Sequence, residues 1–400
     1  MALATGVAKQ LSYKAESVWG TVPAAAGAQA LRRVTSNLSL KKQTYQSGEI
    51  RADYQVSDFR HGVRSVEGSI SGELSPGTYE DFMAAAVRKV FTALSAITGL
   101  SLTIAASGSY YTITRGAGDF VTGGLRVGDV IRITAGSVNA NNLNKNCLIV
   151  SLTTTVATVY PLNGLTLTAE GPIASCTVTL TGKKAIVPAS SHTDTSFSIE
   201  HWFSDVSRSE VFSGCKVNTM GVQLPPSGIA TVEFGFMGKD VTAAGAQYFT
   251  TPTAATTSGV VAAVNGAVIV NGARVANITG MNFTLSGGMS AEPVVGSNSY
   301  SDIFEGRVTV SGQITAFFED HTYFDIFDDE TEVAIACAFT TSSSKDSDFI
   351  SFVFPRVKFG SADKDDGEKG IVQTLSFTAL YNGAGTTSDV TTFAIQDSLA

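Results

Sequence analysis

Along residues 65–74 apolar and polar positions alternate without a break. Val66, Gly68, Ile70, Gly72 and Leu74 interleave with Ser65, Glu67, Ser69, Ser71 and Glu73. A period of two is the mark of a strand with one buried face. The pattern recurs downstream, where Val308, Val310, Gly312, Ile314 and Ala316 interleave with Thr309, Ser311, Gln313 and Thr315. In both strands the second face is small and polar, and in the first it is partly acidic. Each is followed by Thr-Tyr-x-Asp, which predicts a helix start with Thr78 or Thr322 as N-cap. The first helix continues through Tyr79, Phe82, Met83, Ala86, Val87 and Val90, a stripe that packs on a sheet. The second begins with Tyr323, Ile326 and Phe327 and is cut short by the acids at 328–330.

The recurrence is a repeat. Residues 57–81 align with 301–325 without a gap, and nine of the 25 positions are identical: Ser57/Ser301, Asp58/Asp302, Gly62/Gly306, Val66/Val310, Gly68/Gly312, Ile70/Ile314, Thr78/Thr322, Tyr79/Tyr323 and Asp81/Asp325. Ordinary residue frequencies would give roughly one or two. The flanks correspond too, 27–40 with 272–285 and the hairpin 214–238 with 355–380. The second copy passes from helix to hairpin directly, whereas the first holds an extra segment rich in alternating runs. This predicts a mainly β chain of two tandem β-sandwich domains, each with a flanking helix, plus an inserted small β domain. The expected boundaries are 1–93 with 188–239 for the first copy, 94–187 for the insert, 240–270 for a linker, and 271–400 for the second copy. An insertion in a loop is readily tolerated, so the insert is expected to be dispensable.

Composition narrows the function classes. Charged residues are only 16% of the chain, glycines number 39, and the formal net charge is −8. This argues against tight wrapping of nucleic acid, which needs clustered Lys and Arg. The four cysteines are far apart and read as buried free thiols. The start of the chain lacks the apolar core of a signal peptide and no run is long enough to span a bilayer, so a soluble protein made in a cytoplasm is expected. The glycine-rich stretch 116–124 and the acidic run 363–368 read as turns, not as a phosphate loop or a calcium site. No histidine pairing or serine elbow points to catalysis, no cofactor motif is present, and the chain is not expected to be an enzyme.

The stretches TYQSGEIRADYQVSDFRHGVRSVEGSISGELSPGTYEDFMAAA (44–86), GCKVNTMGVQLPPSGIATVEFGFMGKD (214–240) and FPRVKFGSADKDDGEKGIVQTLSFTALYN (354–382) resemble the major tail tube protein of long-tailed siphophages. The resemblance covers most of the chain outside the insert. It implies stacked rings whose inner strands join into one β-barrel around a channel for DNA ejection, in a virion tail assembled in the host cytoplasm. Two domains per chain then imply a trimeric, pseudo-hexameric ring. The channel-lining residues would be Glu67, Ser69, Ser71, Glu73, Glu233, Ser311, Gln313 and Thr315, with Lys216 and Lys358 as inward-facing exceptions to the acidic trend. The loops 41–60 and 286–303 would contact the neighbouring ring, the first through Tyr45, Ile50, Tyr54, Val56 and Phe59. Implied partners are further copies of the chain, tape measure, tail terminator and tail-tip proteins, and DNA passing without sequence-specific binding, with no membrane. The insert would decorate the outside. Another β-rich virion part, such as a tail terminator or capsid decoration protein, shares the composition, as does a carbohydrate-binding adhesin.

Overall fold

The computed structural model describes residues 3–400; Met1 and Ala2 lie outside the described residues. Among the described residues there are twenty-four strands and two α-helices, so the mainly β class read from the alternation holds. The first half contributes β1 (Ser39–Gln46), β2 (Phe59–Glu73), α1 (Glu80–Val87), β3 (Phe197–Phe203), β4 (Arg208–Leu224) and β5 (Thr231–Gly238). The second half contributes β6 (Ile278–Ser286), β7 (Thr309–Phe317), α2 (Thr322–Asp328), β8 (Val333–Thr340), β9 (Phe349–Lys364) and β10 (Val372–Ala379).

Every pairing of these strands is antiparallel, and both halves pair in the same order. In the first half β1 pairs with β2, β2 with β5, and β5 with β4. In the second β6 pairs with β7, β7 with β10, and β10 with β9. β4 then pairs with β6, which fuses the two sets into one eight-stranded sheet. β4 and β9 are long enough to serve two layers. Their N-terminal portions pair with β3 and β8, which in turn pair with Lys9–Ala15 and Gly266–Val270. Even the irregularities repeat. The register shifts between Phe197 and Ile199 in one half and between Val333 and Ile335 in the other. A second shift falls between Val217 and Thr219, and its counterpart between Phe359 and Ser361.

The apolar faces of the two layers make the core. Val66, Ile70, Val310 and Ile314 are all buried, as the alternation requires. In the first half Phe82 on α1 lies edge-on to Phe197, Phe234 and Phe236, 5.0–5.5 Å between ring centroids. In the second half Phe393 packs into the core, 5.4 Å from Phe283 and 5.1 Å from Phe354. Each such ring contributes roughly 1.5–3 kcal/mol through burial. The apolar stripe of α1 is buried through Val87, but Arg88 adopts a left-handed conformation (φ 60°) and ends the helix, leaving Val90 exposed.

The expected caps are replaced. Neither helix has a side-chain bond from its N-cap residue, which is Tyr79 in α1 and His321 in α2. Thr78 is buried and hydrogen-bonds Ser75 (2.7 Å) and Thr256 (2.6 Å), because the segment joining the halves passes over it. Before α2 it is Asp320 Oδ1 that accepts the Thr322 N–H, at 2.9 Å. The segment 240–270 is also more structured than a linker. Asp240–Ala244 pairs with β4 and Gly266–Val270 with β8, so each half takes a strand from it.

Between α1 and β3 lies a closed six-stranded barrel formed by Ile97–Ser107, Tyr110–Arg115, Val130–Ala135, Cys147–Leu152, Val156–Pro161 and Glu170–Leu180. It has its own core around Leu102, Ile113, Phe120, Ile149 and Val178. A separate apolar cluster joins its outer residues Val130, Leu148 and Val150 to Ile269, Ala336, Phe349 and Val353 of the second half. The Gln396 amide completes the joint, accepting the Val130 N–H and donating to the Val130 and Thr181 carbonyls, each at 2.8 Å. Lys184 bridges Asp129 of the barrel to Asp389 of the second half. The insert is therefore seated on the other half of the chain.

Candidate assembly surfaces

The polar face of the eight-stranded sheet gathers the residues that the alternation singled out. Ser71 lies opposite Glu233, Glu73 opposite Thr231, and Ser69 opposite Gly235, while Glu67 faces Met237. On β7, Ser311 sits between Thr284 and Thr378, Gln313 between Asn282 and Ser376, and Thr315 between Gly280 and Thr374. One row runs unbroken through both halves: Thr35, Ser71, Glu233, Gly221, Thr284, Ser311 and Thr378. Hydroxyls bond along it, Thr35 to Ser71 at 2.6 Å, and nearby Ser361 to Ser376 at 2.8 Å. None of these side chains is large, and Glu67, Glu233 and Ser311 are exposed. The contributions of Thr219, Gln223, Thr284, Asn282 and Thr378 were not picked out from sequence. Their signal is present in the alternating runs of β4, β6 and β10, once those strands are known to share one sheet with β7.

Lys216 lies in the row of Met237 and Glu67 but is not open to solvent there. Its side chain is 2% exposed, with Nζ bonded to Asp194 (2.7 Å), Asp302 (3.2 Å) and the Ile303 carbonyl (3.0 Å). The register shift after Val217 keeps it in that row, but the loop between β6 and β7 covers it. Lys358 is 39% exposed and pairs with Glu330 at 3.2 Å.

The two halves meet along the β4–β6 ladder, from Thr219 opposite Ser286 to Leu224 opposite Met281. Three further contacts reinforce this seam. Arg88 donates to the carbonyls of Gly287 (2.7 Å) and Gly306 (2.8 Å). Lys183–Ile186 pairs with Ala394–Asp397, and Asp397 accepts the Gly77 N–H at 2.8 Å. The loop 286–303 is drawn into the seam as well, since Asn298 accepts the Arg64 N–H at 3.0 Å. Its counterpart in the first half stands away from the body. There β1 and β2 stay paired out to Gln46 opposite Phe59, and the tip beyond them carries Ile50 and Tyr54 in full exposure with Val56 exposed beside them. Tyr45 and Phe59 are half-exposed on the strands themselves. Each end of the sheet is open: β1 pairs only with β2, and β9 beyond Val357 pairs only with β10.

A sequence profile of the phage tail tube protein family matches residues 6–379 of the chain. The chain belongs to this family. No curated protein matches it. The tail tube protein is thus a structural component of the virion tail that assembles with itself into a tube. Among its described residues no helix is long and apolar enough to cross a membrane. Its four cysteines are free and buried, and burial pushes the thiols of Cys147 and Cys337 up to about 12, which keeps them protonated and unreactive.

Proposed function

We propose that three copies of the chain close into a ring in which six half-repeats surround a channel, and that rings stack into the tail tube. The observation that carries this is the internal β4–β6 seam. β9 corresponds to β4 and β1 to β6, so the two open edges of one chain are the two sides of the seam it already contains. Transferring the internal register places Ser361 of one protomer opposite Lys41 of the next, Ala362 opposite Leu40, and Asp363 opposite Ser39. Closure removes the unpaired strand edges, a stable arrangement for a cyclic assembly.

In this ring the polar face turns inward. Glu67, Ser69, Ser71, Glu73, Glu233, Ser311, Gln313 and Thr315 would line the channel, offering DNA phosphates no cation to hold and a mild repulsion. The exposed tip with Ile50, Tyr54 and Val56, flanked by Tyr45 and Phe59, suits contact with the next ring. The division into two tube domains, 1–93 with 188–239 and 271–400, with 94–187 on the outer surface, belongs to the same reading. So do a tape measure protein in the lumen, terminator and tip proteins at the ends, and assembly in the host cytoplasm.

A Lys41→Cys/Ser361→Cys variant tests the closure. Paired strands bring facing Cα atoms within about 5.5 Å, inside disulfide range, and the native thiols are buried. Mild oxidation should convert assembled protein into covalent trimers on a non-reducing gel. A chain whose rings contain six copies by native mass spectrometry, or whose cysteines never link, contradicts the trimeric seam.

A further inference from the structure

The internal seam contains a site that is only half built at the open edge. At Lys216 a lysine is enclosed by one carboxylate from its own half, Asp194, and by one carboxylate and one carbonyl from the other half, Asp302 and Ile303. The strand registers define its equivalents. Both register shifts fall at matching places in the two halves, and they set Lys358 at the position of Lys216 and Glu330 at that of Asp194. The first pair of the site is present, with Lys358 Nζ 3.2 Å from Glu330 Oε2. The ungapped repeat sets Asp58 and Phe59 at the positions of Asp302 and Ile303. Local geometry agrees, since each aspartate accepts the N–H of the residue that follows it, at 2.8 Å for Asp58 and 2.7 Å for Asp302.

What differs is closure. Lys216 is 2% exposed because the loop of the second half covers it, while Lys358 is 39% exposed at an edge that nothing covers. Asp58 lies on the projecting first hairpin, paired only with the exposed Arg60 at 2.8 Å. We propose that Asp58 of one protomer completes the Lys358–Glu330 site of its neighbour, reproducing Asp194–Lys216–Asp302 between chains, with the Phe59 carbonyl as the fourth member. This rests on the ring reading and adds to it a specific ionic joint whose partner is a second copy of this chain.

The joint serves selectivity more than strength. An exposed pair such as Lys358–Glu330 contributes little by itself, whereas a covered lysine must be fully paired. A neighbour docked out of register by one residue would cover Lys358 without bringing Asp58 to it, and an uncompensated buried charge opposes that arrangement.

Two measurements test the joint on rings whose formation by the wild-type chain is first established by native mass spectrometry. Carbodiimide, which couples a carboxylate to an amine only in direct contact, is applied to rings assembled from a mixture of isotopically light and heavy chains. Peptide mapping should return Asp58 joined to Lys358 in mixed light–heavy pairs. In the second, Asp58→Asn and Lys358→Met should each weaken protomer association by about tenfold at 0.1 M salt, and the double variant should be no weaker than either single. Asp58 and Lys358 are both on the surface, so neither change threatens folding. Intact rings that give no such cross-link, or single effects that simply add in the double variant, overturn the ionic joint while leaving the ring reading standing. A wild-type chain that forms no ring overturns the ring reading and the joint together.

Discussion

Two buried carboxylates hold the halves of this chain in place. Glu200 accepts from Ser209 (2.6 Å), Ser12 (3.3 Å) and the backbone N–H groups of Tyr248 (2.6 Å) and Phe249 (2.9 Å), which ties the segment after the first half back onto it. Asp397 binds the N–H groups of Gly77 and Leu399, both at 2.8 Å, across the seam. Burial pushes the Asp397 carboxyl up to about 6, with Glu80 adding to the rise and the backbone donors opposing it. A carboxyl raised in the folded state binds protons there before it does so in the unfolded chain. Its contribution to stability is therefore fully present below the ordinary carboxylate range and is lost as pH climbs toward 6. Asp397→Asn removes this dependence. The variant should gain on the wild type between pH 4 and pH 6 in denaturant-monitored stability, on the order of 1–2 kcal/mol across the window. A constant difference between the two proteins over that range would show that Asp397 does not titrate there. Nothing in the local sequence around Asp397 signals this role, because it depends on a turn more than three hundred residues away.

At the scale of elements, β2 and β7 were legible from alternation alone, because a one-residue slip would exchange glutamate and valine between water and core. The helices were legible as stripes, but their caps were not. Thr78 is sequestered by a segment distant in the chain, and short-range rules cannot anticipate that competition. Lys216 is hidden for a related reason: it keeps its place in the polar row, but a loop from the other half of the chain, carrying Asp302 and Ile303, encloses it. The continuity of the polar face across β4 and β6 could be seen only in three dimensions. That continuity makes a sharp prediction. Ser69, Ser71, Ser311 and Thr315 changed together to Lys should leave the sheet and tube intact, since all four point away from the core. DNA ejection by phage carrying the change should be slowed, most strongly at low salt, because each new phosphate contact strengthens as counterion concentration falls. Normal ejection at every salt concentration would remove these residues from the channel.

For the whole molecule, the repeat was readable from nine identities and an even offset, and the fold follows it strand for strand. The seating of the insert was not readable, since its apolar contact is shared between residues near 130–150 and others beyond 260. Replacing 94–182 by a short Gly/Ser linker should therefore expose Ile269, Ala336, Phe349 and Val353 to water and orphan Gln396. Loss of that burial predicts a melting temperature lowered by several degrees and aggregation of the isolated chain. A soluble deletion variant with unchanged melting would show the barrel to be an independent ornament.

In the proposed ring the two kinds of joint would be built unequally. The internal one has Arg88 clamping two carbonyls and an added strand, Lys183–Ile186, bridging the second layer. Between α2 and β8 only the four residues 329–332 are available, too few to supply either at an open edge. Around a closed tube, compliance would then alternate, stiff hinge after soft. Bending or internal pressure would concentrate strain along three longitudinal lines instead of spreading it over six, and a tail strained to failure would split there first.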